Sequence, residues 1–253
     1  MTILPWIRLV AVVTLLAACA KAGAPAASPA STVRFDLAAD PLTLDPLFMH
    51  PDASSAEGQV ARLAYEPFID LDARGRPVPV LLARIPSLEN GGISPDGRTI
   101  VYHLRPNVRW SDGVPLTSAD VLYTLHAIMD PRNPVRSHEG YDLIERASAP
   151  NPSTVVLRLR RAWAPAVLTY FCYGINSQVV LPAHVPLARL PYVSDGPYVF
   201  VSWKRGESLI YRANPRYWRG KPAVDRLDIG IVSDPSTNLV MLQSGALDWN
   251  LIA

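Results

Sequence analysis

Apolar and polar residues alternate along this chain with two different periods. From Thr32 to Leu37, Val33, Phe35 and Leu37 occupy every second position, which predicts a strand with one buried face. The same rhythm predicts strands at Phe68–Leu71 and at Thr99–Leu104, the latter continued by Val108-Arg109-Trp110 beyond a break at Pro106. Thr154–Arg160 follows it too, with Val155, Leu157 and Leu159 inward and Arg158 and Arg160 outward. Val199–Trp203 and Ser208–Arg212 bracket Lys204-Arg205-Gly206-Glu207 as a hairpin, and Leu227, Ile229 and Ile231 mark another strand. Ala246–Ala253 reads as a last one.

A helical period appears in three places. Ser54–Tyr65 sets Val60, Leu63 and Ala64 on one face and ends at Glu66-Pro67. After Thr117, residues Val121, Leu122, Leu125, Ile128 and Met129 share a face until Asp130-Pro131. Thr117 and Asp120 have the spacing of a capping box, each side chain satisfying a backbone N–H of the other's segment. Ser236–Gly245 is the third helix, closed by its glycine. Asp72-Ala73-Arg74-Gly75, Ser94-Pro95-Asp96-Gly97 and Ser111-Asp112-Gly113 are turns, and Pro182–Pro191 is irregular. Strands and helices mix without a regular βαβ rhythm, so the pattern gives an α/β or mixed α+β domain.

Composition narrows this only a little. The chain has 253 residues, 49% hydrophobic and 18% charged, enough to bury a core. A net charge of +2 supplies no field for nucleic acid. The 25 prolines point to short elements rather than a helix bundle. The first residues are a different matter. Arg8, the apolar run Leu9–Leu16 and the small residues before Cys19 describe an export signal over residues 1–18. Leu16-Ala17-Ala18-Cys19 resembles a bacterial lipobox, which implies lipid on Cys19 and attachment to a membrane surface. Residues 19–31, rich in Ala, Pro and Ser, read as a flexible tether. With Cys19 acylated, Cys172 between Phe171 and Tyr173 is most simply a buried apolar residue.

Four stretches then carry a resemblance. They are Thr43-Leu44-Asp45-Pro46 with Leu63-Ala64-Tyr65-Glu66-Pro67-Phe68, and Arg76-Pro77-Val78-Pro79-Val80-Leu81-Leu82-Ala83. The third runs from Ser94-Pro95-Asp96-Gly97 through Val108-Arg109-Trp110-Ser111-Asp112-Gly113 to Leu116–Val121. The fourth joins Gly196-Pro197-Tyr198, Asn214–Pro222 and Leu242–Asp248. In this order, over nearly all of residues 32–252, they resemble the family 5 solute-binding proteins, the oligopeptide and dipeptide receptors of ABC importers. The resemblance implies a type II periplasmic-binding-protein fold. Residues 32–62 and 186–253 would form the core of lobe I, and 63–185 a family-specific extra subdomain. The second lobe would be absent from this chain.

It also implies a binding module rather than an enzyme. Its ligand would be a peptide or other small solute, and its partner the permease subunits of an ABC transporter. Candidate ligand residues are Asp52, Ala53 and Ser54 in the loop after Pro51, Tyr198 near the expected cleft, and Tyr141 in the extra subdomain. Trp110 and Asp112-Gly113 are expected to be structural, as a buried ring and a tight turn. A scaffold or regulatory lipoprotein with a membrane partner is the alternative, and receptors for nickel chelates, haem, sugars or opines share the motifs. The five histidines make no metal-ligand spacing, and neither a nucleophile elbow nor a phosphate loop occurs, so no cofactor, metal or catalytic residue is assigned.

Overall fold

The computed structural model describes residues 31–49, 55–135, 137–172 and 179–249. The first strand, β1, spans Thr32–Leu37 as its alternation predicts. It is followed by α1, Ala56–Ala64, whose first turn is capped by Ser55 Oγ accepting from Gly58 N–H at 3.0 Å. The chain then forms β2 (Ile69–Leu71) and β3 (Pro77–Pro79), an antiparallel pair joined by a turn in which Gly75 has φ +72°.

Next come β4 (Thr99–His103), α2 (Ser118–Met129), β5 (Ile144–Asn151), β6 (Thr154–Leu159) and the short α3 (Ala166–Thr169). The capping box of α2 is complete: Thr117 accepts from Ala119 N–H, and Asp120 accepts from Thr117 N–H at 2.7 Å. Residues Leu187–Tyr192 form a 3-10 turn, and β7 (Tyr198–Lys204), β8 (Ser208–Ala213), β9 (Arg226–Ile231) and α4 (Pro235–Gln243) complete the chain.

Two main sheets result. One has the order β1-β9-β8-β7, with β1 parallel to β9 and the other pairs antiparallel. The other is antiparallel in the order β4-β6-β5, with α2 packed on β5 and β6. A single apolar core joins them, running from Leu37, Leu209 and Ile229 to Ile100, Leu157, Val121 and Ile128. Phe68 is wholly buried against the second sheet, its ring 5.3 Å from Tyr102 of β4 and 4.7 Å from Phe171.

The structure corrects several expectations. Val108-Arg109-Trp110 does not extend β4. Asn107 takes φ +65°, which turns the chain, and the three residues instead fold back on 114–116 through Trp110 N–H to Val114 O and Leu116 N–H to Val108 O. Met129 is exposed, because α2 ends on it and its side chain passes the edge of the core. Ala246–Trp249 is not a strand. Gly245, at φ +74°, closes α4 with Gly245 N–H to Leu242 O and Ala246 N–H to Met241 O, and the chain then loops back toward β1. Residues 250–253 lie outside the described residues. β3 and β5 were not anticipated.

Candidate functional site

Parts of three motif stretches meet in one place, around the buried ring of Trp110. Trp110 is 0% exposed. After it, Ser111 N–H donates to Ser194 O at 2.7 Å, and Ser194 N–H donates back to Ser111 Oγ at 3.2 Å. Gly196 N–H donates to Ala64 O at 2.9 Å, so close that a Cβ on Gly196 would lie 2.6 Å from the Ala64 carbonyl. Asn214 Nδ2 holds Gly196 O at 2.9 Å, and Arg216 reaches Ser111 O at the same distance. Tyr217 donates its hydroxyl to the Glu66 carboxylate. Four stretches far apart in sequence, 64–66, 110–113, 194–198 and 214–217, are thus locked into one polar joint.

The joint encloses two carboxyl groups. Asp195 is 1% exposed; its Oδ1 accepts from Glu66 N–H at 3.3 Å, and its Oδ2 has no partner among the described residues. Burial, and then the negative charge of Glu66, hold the Asp195 carboxyl well above the usual range for ionisation. Burial also raises Glu66, against the opposing pull of Tyr217 and Arg219. Neither acid was singled out from sequence. Trp110 and Asp112-Gly113 take the structural parts expected of them, the latter as a turn with Gly113 at φ +100°.

The exposed chemistry lies at the other side of the first sheet. In open sheets with parallel strands, ligands bind outside the carboxyl ends of those strands. Here the carboxyl ends of β1 and β9 lead into the loop from residue 38 and into α4. The loop is stiffened by Asp45, whose carbonyl accepts from Phe48 and Met49 and whose Oδ1 accepts from Leu47 N–H at 2.9 Å. Glu57 takes Leu42 N–H at 2.6 Å, and Trp203 Nε1 donates to Asp40 at 2.9 Å. Beside this loop runs an open groove of about 380 Å³, walled by Leu44, Asp45, Tyr192, Phe200 and Trp203.

On the α4 side, Asp234 caps the helix by accepting from Ser236 and Thr237 N–H, and Asn238 donates to the buried Asp36. Leu239 and Val240 are 53% and 62% exposed, and Trp249 is 50% exposed with its ring edge-on to Phe35 at 5.7 Å. Asp248 clamps the edge of β1 at Arg34. It accepts from Arg34 N–H at 2.8 Å and from the guanidinium Nε and Nη2 at 3.0 Å each, while its own N–H donates to Arg34 O.

The proposed site residues fall in different places. Asp52, Ala53 and Ser54 lie outside the described residues, as does Cys19. Tyr198 begins β7, half-buried, at the end of the sheet where β1 starts rather than where it leads out. It pairs with Ala213, and burial raises its hydroxyl. Tyr141 is wholly buried, its hydroxyl accepting from Phe171 N–H at 3.2 Å and its ring 5.1 Å from Tyr170. It offers no surface to a ligand here. Cys172 is buried and its thiol is pushed up to about 12, mainly by desolvation, so it is no nucleophile at neutral pH. Among the described residues no group of three or more His, Cys, Asp or Glu is placed to hold a metal ion. The His184–Asp112 contact at 2.7 Å, half-exposed, ties a turn to the 182–186 segment. What the exposed face offers is aromatic surface beside polar groups that are already paired, which suits recognition.

Comparison with known proteins agrees with this picture. Residues 76–253 match the family described as bacterial extracellular solute-binding proteins, family 5 Middle. Protein XP55 of Streptomyces lividans is 32% identical over 228 residues, covering 87% of this chain and 39% of its own length. The oligopeptide-binding protein OppA of Bacillus subtilis is 26% identical, covering 81% of this chain and 41% of its own. Among solved structures, NikZ from Campylobacter jejuni in complex with Ni(L-His) superposes with a TM-score of 0.76 at 25% identity, over 89% of this chain and 44% of its own. Haemophilus influenzae OppA, with a bound peptide, gives 0.73 at 21% identity over 88% and 46%, a likeness of fold. The chain spans about two-fifths of the length of the curated relatives it matches.

Proposed function

The chain belongs to the family 5 bacterial extracellular solute-binding proteins, and from that premise we propose that it is the first lobe of an exported, lipid-anchored receptor delivering peptides to an ABC importer. Residues 32–62 and 186–253 are its lobe I core and 63–185 its extra subdomain. Cys19 carries the lipid, residues 19–31 are the tether, and the solute meets the loop holding Asp52, Ala53 and Ser54. The observation that carries the reading is the arrangement at the carboxyl ends of β1 and β9. There a braced loop and an aromatic groove, with the motif residues Leu44 and Asp45 on its wall, leave surface for a solute, while Glu66, Trp110, Gly196 and Tyr217 are taken up in the joint. Peptide is the favoured class because relatives include oligopeptide- and glutathione-binding proteins. A nickel chelate is the second, from the likeness to NikZ.

A scaffold or regulatory lipoprotein binding a membrane partner is favoured by one feature, the uncovered Leu239 and Val240. Deleting the gene in its host and measuring uptake of labelled di- to pentapeptides and of nickel–histidine separates the readings. Loss of peptide uptake, restored by the gene and impaired when Cys19→Ala releases the protein from the membrane fraction, is the expected result. Unchanged uptake of all these solutes sinks the receptor reading and leaves the scaffold.

A further inference from the structure

The joint of motif residues contains a group that the solute-binding reading does not use. The side chain of Asp195 is enclosed, and among the described residues the charged groups bearing on it directly, Glu66 from the segment after α1 and Asp120 from α2, are both acidic. Asp70 of β2 adds negative charge against Glu66. Two cations belong to the same region: Arg219 acts on Glu66 and Tyr217 and lies with its guanidinium 4.6 Å over the Trp218 ring, and Arg216 is held on Ser111 O at 2.9 Å. Among the described residues the ionised form of Asp195 would be supported by N–H groups alone, those of Glu66 and of Asp195 itself. An uncompensated charge in such a place is costly, and a carboxyl there keeps its proton.

We propose that this joint is an acid-tightened lock: Asp195 sits in it as a neutral carboxylic acid, and its ionisation as pH rises loosens the grip between the two sheets. The segments it would release are those that Gly196 and Ser194 hold, namely the exit of α1 at Ala64 and the turn at Ser111. For a protein exposed to the external medium, the lock couples the rigidity of the lobe to the acidity around it.

The sign follows from proton counting. An ordinary carboxyl in the unfolded chain loses its proton near pH 4, while Asp195 in the folded chain keeps it to a higher pH. Between those two points the folded state binds the extra proton, so stability falls as pH rises. Acids held low in the fold, such as Asp96 and Asp130, each at about 2, act oppositely but only below about pH 5. Between pH 5 and 9 those low acids no longer contribute, and comparison with a variant that lacks the Asp195 carboxyl separates it from the other raised acids, Glu66, Asp36 and Asp45.

The test is denaturant unfolding of the whole chain across pH 5–9 beside Asp195→Asn, which keeps the shape and cannot ionise. The variant-to-wild-type ratio of folding constants is expected to grow by up to about tenfold per pH unit until Asp195 is ionised, and the comparison cancels what the histidines contribute. At pH 8 the Gly196 amide should exchange hydrogen more slowly in the variant than in the wild type. A ratio that stays flat with pH, or equal exchange at Gly196, overturns the proposal. Should the variant not fold, infrared spectra of wild-type protein carrying ¹³C-labelled aspartate decide: a protonated-carboxyl band at pH 7 that fades on alkalinisation is expected, and its absence at pH 7 overturns the lock.

Discussion

At the joint, Trp110 is wholly buried and Gly196 leaves no room even for a methyl group; on α4, only Asn238 is buried while Leu239 and Val240 stand in solvent. Yet α4 is well formed. It is held by its ends and by polar contacts: the Asp234 cap, the turn at Gly245, Asn238 on Asp36, and the Asp248 clamp just beyond it. The two regions separate two ways of fixing a chain. The joint combines apolar burial with backbone hydrogen bonds between segments far apart in the chain, so changes there are expected to weigh most on stability. The C-terminal helix keeps Leu239 and Val240 outward while Met241 and Leu242 are half-buried, so burial of its apolar residues contributes little. The exposed side of the molecule is therefore inexpensive to alter, and the joint is not.

The largest expected effect breaks the joint. Trp110→Ala opens a cavity in the core and is expected to cost roughly 3–5 kcal/mol, read as a lower midpoint in urea. Trp110→Phe should cost far less, because the indole N–H of Trp110 has no partner among the described residues to lose. If the two variants are equally damaged, the ring's volume is not what the joint depends on. A middle effect tests the local structure of α2. Thr117→Ala removes the capping box of α2 and is expected to cost about 1 kcal/mol by the same measurement. An unchanged midpoint would mean that packing of Val121, Leu125 and Ile128 alone holds the helix.

These contrasts also explain what could be read from sequence. Strands with one buried face, β1, β6, β8 and β9, show their period directly, since every second side chain is apolar. β5 does not: Ile144-Glu145-Arg146-Ala147 carries little apolar pattern, and its place is set by pairing with β6, at a sheet edge where Pro150 is tolerated. Val108-Arg109-Trp110 looked like strand because its apolar spacing is right, but the left-handed backbone of Asn107 overrides the pattern. The joint was half legible. Gly196-Pro197 and Asp112-Gly113 announce tight geometry, whereas Glu66, Asp195 and Tyr217 look like ordinary surface residues until the fold brings together positions 129 and 151 apart in the chain. Tyr141 misled in the opposite sense, since a tyrosine between Gly140 and Asp142 gives no hint that its ring is enclosed among Tyr170 and Phe171.

The smallest effect on stability belongs to α4, and it sharpens the comparison most. Replacing Leu239 and Val240 together by serine removes two side chains that are already more than half in water. Little burial is lost on changing them, so the urea midpoint is expected to move by no more than about 0.5 kcal/mol. Helix propensity works slightly against serine, which makes any gain in stability unexpected. What should change is the surface: binding of a hydrophobic dye should fall, and so should any tendency to self-associate at high concentration. A loss of several kcal/mol would show instead that these residues are packed in solution, and α4 would then have to be counted with the joint as part of the core.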